Sequence, residues 1–234
     1  MMITKMTLKI KGYRQIIKIS ITALIVILLA IFLIRVSVFE HNYYQEKEGS
    51  ERSVAATTES EPEELVEVAP TTAEVKEYRV AADRPRFLSI EKLGIVNARV
   101  LPMGVNAKGE LATPVNIFDV GWYEGSGKPG QGGTLMIDGH NGGPHVLGVF
   151  KNLPNLGEGD IITIERGDGT VFRYAVVENK TIPLSESDAY MSVAARSPKK
   201  GTESVTLISC TGEWSQQQRT YLSRQFVRAL IVVD

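Results

Sequence analysis

Residues 85–234 are written in short β-rich runs broken by Gly, Pro, Asn and Asp, and that punctuation constrains the fold most. Runs at 86–90, 98–101, 133–138, 161–166, 171–180, 204–209 and 224–233 carry the Val, Ile, Phe and Thr that suit a pleated surface. Turn signals lie between them, at Asn106-Ala107-Lys108-Gly109, Gly127-Lys128-Pro129-Gly130 and Gly167-Asp168-Gly169. Asp168-Gly169 between two alternating runs predicts a hairpin. Helical periodicity is scarce: 185–195 is the stretch that predicts a short helix, capped by Ser185 or Ser187. Short strands at this spacing predict an all-β sandwich or barrel. Trp122, Tyr123, Phe150, Phe172 and Tyr174 are expected in its core, which a segment of about 150 residues is long enough to form.

The chain as far as Arg84 has a different texture. Residues 19–34 contain no charged side chain, and extending the run past Arg35 to Val38 reaches the ~20 residues that cross a bilayer. Lys5, Lys9, Lys11, Arg14 and Lys18 precede it, while Glu40, Glu46, Glu48 and Glu51 follow. The positive-inside rule then predicts a basic cytoplasmic N-terminus at 1–18, a transmembrane signal-anchor helix at 19–38, and everything beyond it outside the cell. The alternative is a cleaved signal peptide, against which stand the length of the apolar run and the lack of a clear small-x-small site. Residues 39–84 are rich in Glu, Thr, Ala and Pro and poor in aromatics, which predicts an acidic flexible linker. The folded domain is expected at 85–234.

A formal net charge of −1 gives no reason to expect nucleic acid as a partner. The three histidines and one cysteine form no metal motif, and no acidic cluster supports calcium, so neither metal nor cofactor is expected. A free cysteine is by default a small buried hydrophobe. Cys210 differs in its setting: it ends the run Ser204-Val205-Thr206-Leu207-Ile208-Ser209-Cys210, and Thr211-Gly212 after it reads as a strand end that presents the thiol to solvent. A lone cysteine with a histidine elsewhere is a candidate nucleophile. His140 stands in Leu135-Met136-Ile137-Asp138-Gly139-His140-Asn141-Gly142-Gly143, an apolar run entering a glycine-rich loop. Arg224 stands at the mouth of the last strand, with Arg219 and Arg228 as neighbours that could replace it.

On these residues the domain resembles the sortases, cysteine transpeptidases of the bacterial cell surface. Thr206-Leu207-Ile208-Ser209-Cys210 is similar to their Thr-Leu-x-Thr-Cys strand, with Ser209 in place of threonine. Ile137-Asp138-Gly139-His140 resembles their apolar-Gly-His element, and Arg224 falls where they place a catalytic arginine. The separation from His140 to Cys210, and the shorter one from Cys210 to Arg224, both fit the family's spacing. Phe87-Leu88-Ser89-Ile90, Gly121-Trp122-Tyr123 and Phe150-Lys151-Asn152-Leu153 extend the likeness over essentially all of 85–234.

The resemblance implies an eight-stranded β-barrel with short helices and a groove at strand ends. It implies Cys210 as nucleophile, His140 as general acid and base, and Arg224 as oxyanion stabiliser, with the Thr211 backbone N–H as a second donor. A nearby cation is expected to lower the pKa of the thiol. The implied substrate is a surface protein carrying a C-terminal signal like Leu-Pro-x-Thr-Gly, cut between Thr and Gly. The implied acceptor is an amine of a cell-wall precursor or a pilin lysine. Ser209, Thr211, Leu184, Tyr190 and Met191 are candidate substrate contacts, although the last three could equally pack beneath the segment 182–200 that carries them. His145 lacks the setting of His140 and is read as a bystander. Two other readings remain: a surface cysteine peptidase that only hydrolyses, and a peptide-binding barrel without catalysis.

Overall fold

The computed structural model describes residues 65–106 and 111–233. The apolar span 19–38 with its basic flank, the linker as far as residue 64 and the turn at 107–109 lie outside the described residues. Among the described residues, no helix is long and apolar enough to cross a membrane.

Eight strands follow in chain order: β1 (Pro85–Ile90), β2 (Ile95–Met103), β3 (Val120–Tyr123), β4 (Thr134–Gly139), β5 (Ile161–Arg166), β6 (Val171–Pro183), β7 (Ser204–Ser215) and β8 (Thr220–Ile231). They close a barrel in the order β1-β2-β3-β4-β7-β8-β6-β5, with β5 returning to β1. Closure leaves no unpaired edge. Two pairs are parallel, β2 with β3 and β4 with β7, and the others are antiparallel. The expected hairpin joins β5 to β6, with Gly169 at φ 87° and Asp168 accepting from the Thr170 N–H at 3.0 Å.

Alternating side chains fill the interior: Leu88 and Ile90 from β1, Leu135 and Ile137 from β4, Ile162 and Ile164 from β5, Val205 and Leu207 from β7, all fully buried. Trp122, Phe150 and Tyr174 join this core and Phe172 is partly buried at its margin, while Tyr123 is partly buried against a second cluster outside the barrel. The outward faces of β4, β7 and β8 are also covered. α2 (Leu184–Ala194) lies over them, and Met136, Ile208, Phe226 and Ala194 form a second buried cluster there. Burial on both faces explains why Leu135-Met136-Ile137 in β4 and Leu207-Ile208 in β7 are apolar at successive positions.

The structure departs from sequence expectation in four places. β3 is a four-residue strand with a glycine second, too short for a periodic signal. β7 does not stop at Cys210 but pairs with β8 as far as Ser215, and an irregularity between Thr211 and Trp214 absorbs Gly212 at φ 83°. α2 starts one residue early with Pro183 at its N-cap, and neither serine caps it; Ser187 donates instead to the Leu184 carbonyl at 2.8 Å. The last part of the stretch read as linker is folded onto the barrel. There, α1 (Thr72–Glu77) is held by a capping box in which Thr71 and Glu74 satisfy each other's backbone N–H groups. Tyr78 then anchors it, donating to the Val100 carbonyl at 2.6 Å with its ring beside Phe87.

Candidate active site

Register builds the site. β4 and β7 run parallel with Met136 level with Thr206 and Asp138 level with Ile208. β7 and β8 run antiparallel with Thr206 opposite Arg228, Ile208 opposite Phe226, and Cys210 opposite Arg224. Alternate residues of a strand share a face, so three cross-strand rows line the outside of the barrel. The first is Met136, Thr206 and Arg228, beside the C-terminal end of α2. The next is Asp138, Ile208 and Phe226. Continuing the β4–β7 register by one pleat brings His140 level with Cys210 and Arg224. The Ser209 hydroxyl carries that alignment past the last paired residues by donating to the Gly139 carbonyl at 2.9 Å.

Cys210 is half-buried and free. Burial pushes its thiol pKa up; the Arg224 guanidinium pulls it down, and the Asp138 carboxylate adds to the rise. The net direction is upward, opposite to the sequence expectation, because a partly dry site disfavours the thiolate more than one cation favours it. The thiol is therefore not at a strand tip in water.

His140 is half-buried, and its Nε2 lies 2.7 Å from the Pro114 carbonyl oxygen. A carbonyl only accepts, so Nε2 carries the proton and Nδ1 is the nitrogen left for proton exchange. Arg224 sits inside β8, which begins at Thr220, rather than at its mouth. Its guanidinium is tied back to its own hairpin, with Nη1 donating to the carbonyls of Tyr221 at 3.0 Å and Ser223 at 3.1 Å. The neighbouring arginines are placed otherwise. Arg219 is exposed in the hairpin turn at φ 52°. Arg228 is buried, bonded to Glu178 and to the carbonyls of Val193 and Arg196.

Asp138 belongs to the sequence motif without a role there, and the structure puts it one row behind His140 on the same face. Its Oδ2 accepts from the Thr113 hydroxyl at 2.6 Å, and Gly121 on β3 leaves room for its carboxyl where a Cβ would collide. Burial raises its pKa to about 7. The signal in the sequence is an acid inside an otherwise apolar strand.

The candidate substrate contacts separate. Ser209 is 3% exposed and its hydroxyl is engaged with Gly139, so it braces the site from the barrel side rather than facing a ligand. Thr211 is half-buried opposite Ser223 beside the thiol. Tyr190 stacks edge-on against Phe226 at 4.9 Å and its hydroxyl bonds Glu178; Met191 packs on the same cluster. These two serve as the underside of α2. Leu184 is half-buried at the start of that helix. His145 is exposed at the tip of the loop after His140. Among the described residues, no group of three or more His, Cys, Asp or Glu could hold a metal ion.

The family model described as a sortase domain matches residues 88–232. Solved structures similar to the chain include a sortase D5 transpeptidase from Clostridium perfringens, at 22% identity over 70% of this chain and 90% of that one, with a TM-score of 0.46. Sortase A from Corynebacterium diphtheriae is 24% identical over 66% of this chain and 64% of that one, TM-score 0.46. A pilus-related sortase C of Group B Streptococcus is 20% identical over 74% and 77%, TM-score 0.47. No curated protein matches the chain by sequence.

Proposed function

The chain belongs to the sortase family of cysteine transpeptidases, and from that premise we propose that it is a membrane-anchored member that cuts a Leu-Pro-x-Thr-Gly-like signal and joins the new end to an amine. What supports the reading is the cross-strand pair of Cys210 and Arg224, with His140 one residue past the end of the neighbouring β4. In this reading, His140 Nδ1 takes the thiol proton, since burial keeps Cys210 protonated at rest. The sulfur attacks the threonine carbonyl carbon, and negative charge moves onto the carbonyl oxygen. Arg224, released from its hairpin carbonyls, and the Thr211 N–H stabilise that oxygen. The Thr–Gly C–N bond breaks as His140 protonates the leaving amine, leaving a thioester on Cys210. An incoming amine, from a wall precursor or a pilin lysine, loses its proton to His140 and displaces the sulfur.

The anchor belongs to the same proposal: the apolar span 19–38 would hold the domain at the outer face of the cell membrane with its N-terminus in the cytoplasm. The reaction needs no metal or cofactor.

The test uses a fragment from Glu63, where the compact unit begins, incubated with Leu-Pro-x-Thr-Gly peptides and oligoglycine and read by intact mass. Expected are a Cys210 acyl adduct and a ligated product, both lost in Cys210→Ala. Free acid as the sole product despite added amine would assign the protein to hydrolysis. Neither adduct nor cleavage over a varied peptide set would reject the reading.

A further inference from the structure

Three stretches of chain meet around His140. The first is the loop after it, a small hairpin with Gly142 bridged to Leu147 and Gly148 N–H donating to the Asn141 carbonyl at 2.9 Å. The second is 113–117, whose Pro114 carbonyl holds the imidazole. The third is the strap at 65–70, just ahead of α1, which binds both of the others. Val66 donates to the Val115 carbonyl at 3.0 Å and accepts from Ile117 at 3.1 Å. The Asn116 side-chain amide donates to the Val68 carbonyl at 3.0 Å. Between these, Glu67 turns its carboxylate into the loop: Oε1 accepts from the backbone N–H groups of His145 at 2.9 Å and Val146 at 3.2 Å. Gly143 is part of this contact, because a Cβ there would collide with the Glu67 carboxylate.

The strap therefore ties the support of the His140 ring to the loop that leaves His140, and one side chain makes the tie to the loop. We propose that Glu67 is a positioning residue for His140, acting through the 141–148 loop and touching no reacting atom. The inference rests on the acid–base role given to His140 above. Its consequence is directional. The strap is the part of the domain nearest in sequence to the 19–38 span, so the segment that leads toward the anchor is also the segment that aligns the imidazole. Peeling the strap away would unseat the histidine while leaving the barrel core paired.

Full-length protein in mild detergent tests this with Glu67→Ala, Glu67→Gln and, from the loop side, Gly143→Ala. Two readouts are combined: acylation of His140 by diethyl pyrocarbonate, referenced to an added histidine peptide, and steady-state peptide turnover. In Glu67→Ala, His140 acylation should rise at least about threefold as the loop opens locally. The kcat should fall about tenfold with KM within about twofold, as expected for a misplaced proton-transfer group. Gly143→Ala should behave alike. Glu67→Gln keeps an acceptor oxygen and should restore both values, which a general loss of stability would not do. Wild-type acylation of His140 in Glu67→Ala overturns the proposal, as does failure of glutamine to rescue. If the wild type turns over no peptide, the substrate reading falls, and the acylation rates alone still decide the role of Glu67.

Discussion

Asp138 shows how a single side chain sets conditions for its neighbours. Its folded-state pKa of about 7 stands above the ordinary carboxyl value of 3.8, so the folded chain holds a proton that the unfolded chain has released over that interval. Stability from this group is present in acid and declines as pH rises between those two values. Asp138→Asn keeps an oxygen for the Thr113 hydroxyl and removes the decline. Thermal melts of the two proteins should coincide in acid and separate by several degrees in favour of the variant above pH 7. The same substitution removes a negative charge that opposes the thiolate. The pH profile of Cys210 alkylation should therefore move down; an upward move would contradict the electrostatics. Ser209→Ala leaves the Gly139 carbonyl without its buried donor and should cost about 1–3 kcal/mol in denaturant unfolding.

At the scale of elements, α2 is fixed to the barrel by an apolar cluster and by polar contacts from Thr206, Glu178 and Arg228. Phe226 is fully buried beneath Tyr190, Met191 and Ala194. Arg228 joins β8 to Glu178 on β6, to the Val193 carbonyl in the last turn of the helix and to the Arg196 carbonyl just past its end. Phe226→Ala should destabilise by roughly 3–5 kcal/mol. Arg228→Ala removes the buried guanidinium that bridges Glu178 to the Val193 and Arg196 carbonyls and should lower stability, and limited proteolysis should then cut first within 184–200. Strand runs were legible from sequence wherever Val, Ile and Phe alternate over a long enough run, as in β5 and β6. Val120-Gly121-Trp122-Tyr123 was not, because a glycine interrupts so short a strand. The strap and α1 were hidden by composition: acidic, Thr-rich sequence looks solvated, the Thr-x-x-Glu signature of the Thr71–Glu74 capping box is short, and the Tyr78 anchor shows only when α1 is docked. Asp138 stayed without a role because its face is defined by β7, a strand far along the chain.

For the whole molecule, closure matters more than any one contact. Glu203 accepts from Gly130 N–H at 3.0 Å, Gly132 N–H at 2.7 Å and the Tyr174 hydroxyl at 2.6 Å, tying the β3–β4 connection to β6 and β7 at the barrel end away from Cys210. Glu203→Ala should therefore lower stability while leaving Cys210 alkylation of the still-folded fraction unchanged. The thiol and the guanidinium come from β7 and β8, and the imidazole from the residue just past the end of β4. The parallel β4–β7 pairing, which ends at Asp138 and Ile208 just before His140 and Cys210, joins segments distant in the chain, and such contacts are among those that form slowly. Before that pairing exists, the chain carries an ordinary thiol, an ordinary histidine and an ordinary arginine, none altered by the others. The partly dry setting that raises the thiol pKa is thus a mark of completed folding: only a chain with β4, β7 and β8 in register carries it.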